Sequence, residues 1–383
     1  MLPRTNPDPK ALLVGRVWRP GIGPALVALR GETVVDITAR EAPTMRDLME
    51  LDDPAGYLRG ARGEAIGTLA DLVAGSVEGA GEDRLHLLAP CDLQAVKAAG
   101  VTFAESMVER VIEEQAAGDP DRAEAIRRKV QGAIGDSLLG IEPGSEKAMQ
   151  VKALLQAEGL WSQYLEVGIG PDAEVFTKGQ PMSSVGWGAS IGLLPASRWN
   201  NPEPEIVLAV NSKGAIQGAT LGNDVNLRDL EGRSALLLGK AKDNNASCSI
   251  GPFLRIFDES YTMADAEAAE LALRVEGEDG FVLDGHSSMS QISRRPADIV
   301  AQTIGRHHQY PDGFVLFLGT LFAPIQDRDT KGQGFTHKLG DVVTISEPKL
   351  GALINTVRLS TECPEWRFGA GALMRNLAGR GLL

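Results

Sequence analysis

The feature that most constrains the fold is a pair of apolar runs joined by a short polar turn, "EPEIVLAV-NSKG-AIQGATLGND", over residues 203–224. The pattern predicts a β-hairpin, because strand-forming residues flank a turn that contains Asn and Gly. Side chains alternate along a strand, so Glu203 and Glu205 share one face. Two carboxylates this close repel each other unless a cation lies between them. The hairpin therefore predicts a cation beside these glutamates.

A third carboxylate falls on the same face of the predicted hairpin. If the connection has four residues, Glu205 lies opposite Thr220, and Asp224 becomes a diagonal neighbour of Glu203. Carboxylate oxygens without His or Cys suit Mg²⁺, Mn²⁺ or Ca²⁺ rather than zinc, and they leave coordination positions open for a chelating 2-oxo acid. The alternative is an acidic, solvent-exposed hairpin face, and a slip of one residue would also move Asp224 away.

Two charged residues further along the chain could act with such a metal. Glu231 lies seven residues after Asp224, two turns along a short helix predicted in "VNLRDLEG". Lys242 precedes the next strand, and a lysine beside a substrate keto group could stabilise an enolate oxygen or transfer a proton. Considered alone, each is also an ordinary surface residue.

The order of predicted strands and helices indicates an α+β protein. Residues 11–38 predict three short strands, and we place a domain boundary near residue 90, between a small β-rich N-terminal domain (1–90) and the remainder (91–383). From about residue 160 strands dominate in irregular order, which does not fit alternating βαβ units.

Charge and cysteine content exclude several classes of partner. The formal net charge of −13 argues against nucleic acid and against an anionic membrane, since both require clustered Lys and Arg. The polar start "MLPRTNPDPK" does not resemble a secretory signal, and no apolar run approaches the length needed to span a membrane. The three irregularly spaced cysteines fit a reducing compartment, so we expect a cytoplasmic protein.

Five segments, in order, resemble the fumarylacetoacetate hydrolase superfamily over about residues 90–360. They are "NPEPEIVLAV", "GNDVNLRDLE", "AKDNNASCSIGP", "LFLGTLFAP" and "LGDVVTISEPKLGALINTV". The resemblance implies a β-roll catalytic domain with a smaller N-terminal β-rich domain, and a homodimer or homotetramer. It also implies that the three hairpin carboxylates bind the metal, that Lys242 stabilises an oxyanion, and that Gly319 and Thr320 grip a substrate carboxylate.

The segment "GVTFAESMVE" departs from the hydrolases of this superfamily. They carry a histidine, and three residues later a glutamate, which activate water for C–C cleavage; here Ser106 stands at the histidine position and Glu109 is kept. Serine cannot act as that base. Glu231 stands where hydrolases commonly have glutamine. Both changes, and the segments "GPDAEVFTKGQPMSSVG" and "GHSSMSQISRR", resemble the sugar-acid dehydratase branch, in which we assign Thr102 and Phe103 to substrate binding.

This branch implies Mg²⁺-dependent dehydration of a 2-keto-3-deoxy-pentonate, of the xylonate or arabinonate form, in non-phosphorylative pentose catabolism. The product would be 2-oxoglutarate semialdehyde, formed through a metal-stabilised enolate. Glu231 or Lys242 would remove the C3 proton, with Glu109 as a candidate acid for the leaving hydroxyl. Three residues of the "GHSSMSQISRR" loop could reach the substrate hydroxyls, namely Ser287, Ser288 and Arg294.

Two other functions stay open on the sequence. A hydrolase of a 2,4-diketo acid, or a 2-oxo acid decarboxylase, would share the metal and the enolate, so that only Ser106 and Glu231 argue against it. A catalytically silent member would bind a metal or metabolite without turnover. The intact ligand set and Lys242 argue against that reading.

Overall fold

The computed structural model describes residues 8–77, 81–117, 119, 121–127, 141–157, 161–322, 326–330 and 334–383. Within these ranges two β-sheets pack together, and helices cover the larger one. The strands are β1 Leu13–Arg19, β2 Gly23–Arg30, β3 Thr33–Asp36, β4 Glu64–Thr68, β5 His86–Leu88, β6 Ala95–Gly100, β7 Glu174–Gly179, β8 Ser190–Leu193, β9 Pro204–Val210, β10 Ile216–Asp224, β11 Cys248–Ile256, β12 Glu270–Glu276, β13 Val282–Ser288, β14 Phe314–Phe317, β15 Val342–Glu347 and β16 Gly351–Leu359.

The helices of the described ranges are mostly short. They are α1 Met45–Glu50, α2 Pro54–Gly60, α3 Leu69–Val77, α4 Ala104–Ala116, α5 at residues 121–127, α6 Glu146–Ala157, α7 Gln163–Ile169, α8 Arg228–Glu231, α9 Leu238–Lys242, α10 Met263–Glu267, α11 Pro296–Thr303 and α12 Ala370–Gly379. None of them is both long and apolar enough to cross a membrane.

The larger sheet has the strand order β4-β3-β2-β1-β11-β10-β9-β14-β6-β7, with β5 paired to β1. Strand β9 lies near its middle, between β10 and β14, and every residue of the strand is buried. A strand that is covered on both faces needs a continuous apolar run, which "IVLAV" supplies. The glutamate within this strand is therefore placed in the interior, and not at the surface.

The smaller sheet has the order β13-β12-β15-β16-β8, and its strands alternate between buried and exposed residues. In "ELALRVE" of β12 the three apolar residues Leu271, Leu273 and Val275 are buried, while the residues between them are exposed. This alternation is typical of a sheet with one face in the core and the other towards solvent. The buried face packs against β9 and β10 of the larger sheet in one hydrophobic cluster.

A group of helices forms a second hydrophobic cluster, separate from the core between the two sheets. Helices α4 to α7 lie between β6 and β7 in the chain, and they share this cluster, which includes Val111, Ile112, Leu155 and Leu165. We call helices α4–α7 the helical cover. Because the cover has its own core, it packs as a unit over the end of the sheet that carries the carboxylates.

The α+β prediction is confirmed, and the three strands predicted in residues 11–38 are β1, β2 and β3. Strand β1 pairs with β11 through Leu13 and Arg255, so the N-terminal strands continue the same sheet that contains the hairpin. The domain boundary near residue 90 stays a prediction.

Candidate active site

Strands β9 and β10 form the predicted hairpin, but their register differs from the prediction. Glu205 lies opposite Gly222 instead of Thr220. The backbone N–H of Asp224 donates to the carbonyl of Glu203 at 3.1 Å, which makes these two residues direct and not diagonal neighbours. The predicted pairing was therefore wrong by two residues, whereas the predicted face was right.

The shift of two residues has two separate causes. The backbone N–H of Asn211 donates to the carbonyl of Ala215, so the connection is one residue longer than predicted. A β-bulge between Ile216 and Gly218 adds the second residue. Because side chains alternate with a period of two, these two steps together return Asp224 to the face of the glutamates.

The three carboxylates meet in the protein interior. One oxygen from each of Glu203, Glu205 and Asp224 lies within 4.8 Å of the others. The exposed fractions of these residues are 5%, 2% and 2%. The alternative of a solvent-exposed acidic hairpin face is therefore excluded. Mutual repulsion in a buried site must be balanced by cations.

Three basic side chains contribute that positive charge. Lys242 Nζ lies 2.8 Å from Glu203 Oε2 and 3.2 Å from Asp224 Oδ2. Lys178 Nζ lies 3.0 Å from Asp224 Oδ1. Arg110 Nη2 donates to Glu203 Oε1 at 2.5 Å, so both oxygens of Glu203 face a cation. Both lysines are buried, and they reach the carboxylates from different elements, Lys178 from β7 and Lys242 from α9.

The cations do not compensate Glu205 to the same degree. Burial, followed by the charges of Asp224 and Glu203, raises the pKa of Glu205 well above its ordinary value, although the backbone N–H of Gly319 donates to its Oε2 at 2.7 Å. Burial alone would also raise the pKa of Asp224, but Lys178 and Lys242 outweigh it and lower that pKa. Positive charge is thus lacking on the Glu205 side of the cluster.

The donor set fits a divalent cation of the hard, oxygen-binding class. The converging group found among the described residues consists of three carboxylates without His or Cys, which suits Mg²⁺, Mn²⁺ or Ca²⁺. The raised pKa of Glu205 is the expected property of an anionic ligand without its cation, because the neighbouring negative charges penalise its ionised form. The sequence-predicted ligand set is thus brought together in a geometry that could hold a metal.

Glu231 and Lys242 both reach the cavity that these carboxylates line. Glu231 ends the short helix α8, and its Oε2 accepts a hydrogen bond from Arg110 Nη1 at 3.0 Å. Lys242 ends helix α9 and lies 5.5 Å from the ring centroid of Phe176. Burial would lower the pKa of Lys242, but Asp224 and Glu203 raise it, so its ammonium form is stabilised here.

Glu174 lines the same cavity and was missed in the sequence. It begins β7 opposite Gly100 of β6, where the absence of a side chain makes room for its carboxylate. Burial, and then the charge of Glu231, raise the pKa of Glu174 to about 7. A signal was present, since Glu174, Phe176 and Lys178 alternate onto one strand face, and all three contribute to the site or its cations.

Glu109 lines the cavity but is held by two guanidinium groups. Arg127 donates to its two oxygens at 3.0 and 2.9 Å, and Arg228 Nη2 donates to Oε2 at 3.2 Å. Arg228 also stacks over Trp199 at 4.2 Å. Both oxygens of Glu109 are thus occupied by hydrogen bonds from guanidinium groups. The side chain of Ser106 lies outside the described residues.

The predicted substrate-binding residues fall into two groups. Gly319 and Thr320 line the cavity, together with Phe322. The other five are not among the residues that line the cavity. Thr102 Oγ1 donates to the Leu318 carbonyl, and Ser287 Oγ accepts a hydrogen bond from the Leu321 N–H. Ser288 Oγ donates to the side chain of Glu270, and Phe103 is a fully buried core residue. Arg294 donates to three backbone carbonyls, those of Val167, Gly170 and Asp172.

Comparison with known families identifies the family of this chain from the part that carries the buried carboxylates. Residues 160–358, just over half of the chain, match the family model "Fumarylacetoacetate (FAA) hydrolase C-terminal". The matched range contains the hairpin, both lysines and the Gly319–Thr320 loop. The chain belongs to the fumarylacetoacetate hydrolase family.

Relatives within the fumarylacetoacetate hydrolase family bear dehydratase names. A probable 2-keto-3-deoxyxylonate dehydratase of Haloferax volcanii is 28% identical over 87% of this chain and 94% of its own length. A 2-dehydro-3-deoxy-D-arabinonate dehydratase of Saccharolobus solfataricus is 30% identical over 48% of this chain and 58% of its own length. The solved structure of a 2-keto-3-deoxy-D-arabinonate dehydratase with magnesium and 2,5-dioxopentanoate has the same fold, with a TM-score of 0.62 and 21% identity over 91% of this chain and 99% of that one.

Proposed function

We propose that this protein dehydrates a 2-keto-3-deoxy-pentonate, of the xylonate or arabinonate form, to 2,5-dioxopentanoate, which is 2-oxoglutarate semialdehyde. The observation that carries the proposal is the buried trio of Glu203, Glu205 and Asp224 beside the ammonium of Lys242. Two relatives with dehydratase names support the same reaction. So does the solved dehydratase structure that contains magnesium and 2,5-dioxopentanoate. The reaction class is that of a hydro-lyase.

Mg²⁺ is the proposed cofactor, held by the three carboxylates. When bound, a divalent cation supplies positive charge that stabilises an enolate and makes a proton next to a keto group easier to remove. The protein residues bind, orient and transfer protons around it. Mn²⁺ has the same preference for oxygen ligands and serves as a probe of the same site.

Lys242 suits the stabilisation of negative charge on the substrate oxygen. Its ammonium is fixed between two carboxylates at 2.8 and 3.2 Å, an arrangement that favours donation of hydrogen bonds over abstraction of a proton. Glu231 then becomes the group that accepts the C3 proton, because its carboxylate lines the cavity and Arg110 holds it in position.

Glu174 is the proposed acid that donates a proton to the leaving C4 hydroxyl. With a pKa of about 7 it carries a proton in a substantial fraction of molecules at neutral pH. Glu109, which the sequence favoured for this role, is engaged by Arg127 and Arg228 instead. Loss of the C3 proton and of the C4 hydroxyl as water gives a C3–C4 alkene conjugated with the keto group. Loss of a proton from C5 and return of a proton to C3 then give the C4–C5 enol, which becomes the C5 aldehyde by tautomerisation.

Thr320 and Phe322 are proposed to position the rest of the substrate, since both line the cavity. Gly319 has a different task in this structure, because its N–H orients Glu205. Thr102 and Ser287 would act indirectly, by holding the backbone on either side of Gly319 and Thr320. Substrate contacts of Phe103, Ser288 and Arg294 stay predictions from the sequence. Assembly as a homodimer or homotetramer and a cytoplasmic location stay predictions from the sequence.

The test is a direct assay with purified protein, Mg²⁺ and 2-keto-3-deoxy-D-xylonate or -arabinonate. Formation of 2,5-dioxopentanoate is followed with a coupled aldehyde dehydrogenase, with EDTA as the metal-free control. We expect metal-dependent product from the wild type and none from Asp224→Asn. Full activity of Asp224→Asn at limiting Mg²⁺ would mean that the metal site is misplaced. Full activity of Glu231→Gln would mean that Glu231 is not the base.

The rival reaction is C–C cleavage of a 2,4-diketo acid or decarboxylation of a 2-oxo acid. Both would use the same metal and enolate, so the ligands alone do not separate them. The assay is therefore run in parallel with acylpyruvate and oxaloacetate. Turnover of these substrates without formation of 2,5-dioxopentanoate would assign the protein to the rival class.

A further inference from the structure

Arg110 lies where it competes with a metal ion for one of the proposed ligands. Its guanidinium bridges two carboxylates, with Nη2 at 2.5 Å from Glu203 Oε1 and Nη1 at 3.0 Å from Glu231 Oε2. Only 12% of the Arg110 side chain is exposed, and the two acidic side chains are each 7% exposed. Charge-assisted hydrogen bonds in such a shielded site are stronger than those at a surface.

Both oxygens of Glu203 are engaged by cations, because Lys242 Nζ contacts Oε2. A divalent cation bound to Glu203 would lie beside both of these positive charges, and the repulsion favours departure of one of the two side chains. Lys242 is held from several sides, since it also contacts Asp224 and the ring of Phe176, and its side chain at the end of α9 is only 2% exposed. Arg110 reaches the cluster from α4, whose apolar residues pack in the separate core of the helical cover.

Arg110 also occupies part of the cavity in which metal and substrate would bind. The volume of this cavity, including the part that is open to solvent, is about 560 Å³. Arg110 lines this cavity next to Glu203 and Glu231, where a pentonate would be placed. Movement of its guanidinium would enlarge the space on the side of the helical cover.

We propose that Arg110 is a tethered counter-cation of the metal-free carboxylate cluster, which a divalent cation displaces from Glu203 when it binds. Arg110 is thus a positioning residue, and it links occupancy of the metal site to the position of helix α4. The apparent metal affinity is lowered by the fraction of molecules in which Arg110 occupies Glu203, since only the remainder is ready to bind. The inference rests on the metal site of the proposed function, but not on its reaction.

The test is Mn²⁺ binding to the full-length protein without substrate, measured by electron paramagnetic resonance. Arg110→Gln removes the competing charge, and we expect roughly tenfold tighter Mn²⁺ binding, equivalent to about 1.4 kcal/mol. Arg110→Lys keeps a positive charge and should lie between the two. Arg127→Gln is the matched control, because it removes an arginine of the same cover that pairs with Glu109 and not with a proposed ligand.

A second measurement uses the wild type and does not require a substitution of Arg110. Hydrogen exchange of the α4 amides, residues 104–116, is compared with and without Mg²⁺. Release of Arg110 from Glu203 predicts faster exchange in α4 once Mg²⁺ is bound, and no such change in Asp224→Asn. Exchange of these amides reports local opening of the helix, which an activity assay does not measure.

The outcomes separate the two proposals. Mn²⁺ binding by the wild type with no gain in Arg110→Gln, or with an equal gain in Arg127→Gln, would overturn the role of Arg110 and leave the metal site intact. Unchanged exchange in α4 on addition of Mg²⁺ would overturn it as well. Absence of Mn²⁺ binding in the wild type would overturn both the metal site and the role of Arg110.

Discussion

Replacement of Glu174 by glutamine tests the raised pKa of this carboxylate in the cavity. Burial, and then the charge of Glu231, raise the pKa of Glu174 to about 7, whereas the ordinary value is 4.5. Because the folded protein favours the protonated form, Glu174 contributes stability that is fully present below about pH 4.5 and is lost as the pH rises through about 7. Glutamine stays neutral and does not show this loss.

The size of the effect follows from the pKa of Glu174 in the folded and in the unfolded protein. A difference of one between these two pKa values corresponds to about 1.4 kcal/mol, and most of the change in stability accumulates between pH 5 and pH 8. Partial solvent access of Glu174 reduces the total, so we expect a change of about 2 kcal/mol over that range. Glu174→Gln should therefore gain about 2 kcal/mol of unfolding free energy relative to the wild type between pH 5 and pH 8.

The assay is urea unfolding of both metal-free proteins in EDTA at pH 5, 6, 7 and 8. The exposed Glu259, which pairs with Arg59 at the surface, provides a Glu→Gln control for a simple change of net charge. Catalysis is measured in parallel with Mg²⁺, where we expect at least about a hundredfold loss from removal of the acid. A stability difference between Glu174→Gln and wild type that does not vary with pH would refute the raised pKa.

Three further results are expected. In Gly100→Ala the added methyl group would overlap Glu174 Oε2, so the carboxylate must move. Turnover should fall by about a hundredfold with little change in the urea midpoint. Unchanged turnover would contradict the placement of Glu174. Lys178→Met removes a fully buried ammonium from Asp224 and should lower the unfolding free energy of the metal-free protein by about 3 kcal/mol, measured with urea. Mg²⁺ at one hundred times its Kd should raise the unfolding free energy of the wild type by about 2.7 kcal/mol, measured by calorimetry. The same Mg²⁺ concentration should stabilise Asp224→Asn by much less. Equal stabilisation of the two proteins would place the ion elsewhere.

The hairpin illustrates how far local sequence information reaches. An apolar run, a turn of Asn and Gly and a second apolar run determine two antiparallel strands, and the period of two determines which side chains share a face. The register was wrong by two residues, because neither the bulge near Ile216 nor the longer connection is visible in residue types. The grouping of the three carboxylates was still right because the error was an even number of residues.

The fate of Glu109 and Arg110 shows where such information ends. These neighbours lie in one helix, and the resemblance to known dehydratases and hydrolases directed attention to Glu109. In the structure Glu109 is neutralised by Arg127 and Arg228, and Arg110 is the residue that contacts the cluster. The direction in which each side chain points depends on how the helical cover packs on the sheet.

The sequence by itself determined the grouping of the three carboxylates and the α+β class, because these depend on alternation and on turns between neighbouring strands. The placement of Lys242 beside them was predicted from the family resemblance. The tertiary structure decided the remainder. Glu174 meets Gly100, and Lys178 meets Asp224, only after β6, β7 and β10 have been placed in one sheet. Burial then raises the pKa of Glu174 to about 7, a property that no residue has until the folded chain removes it from water.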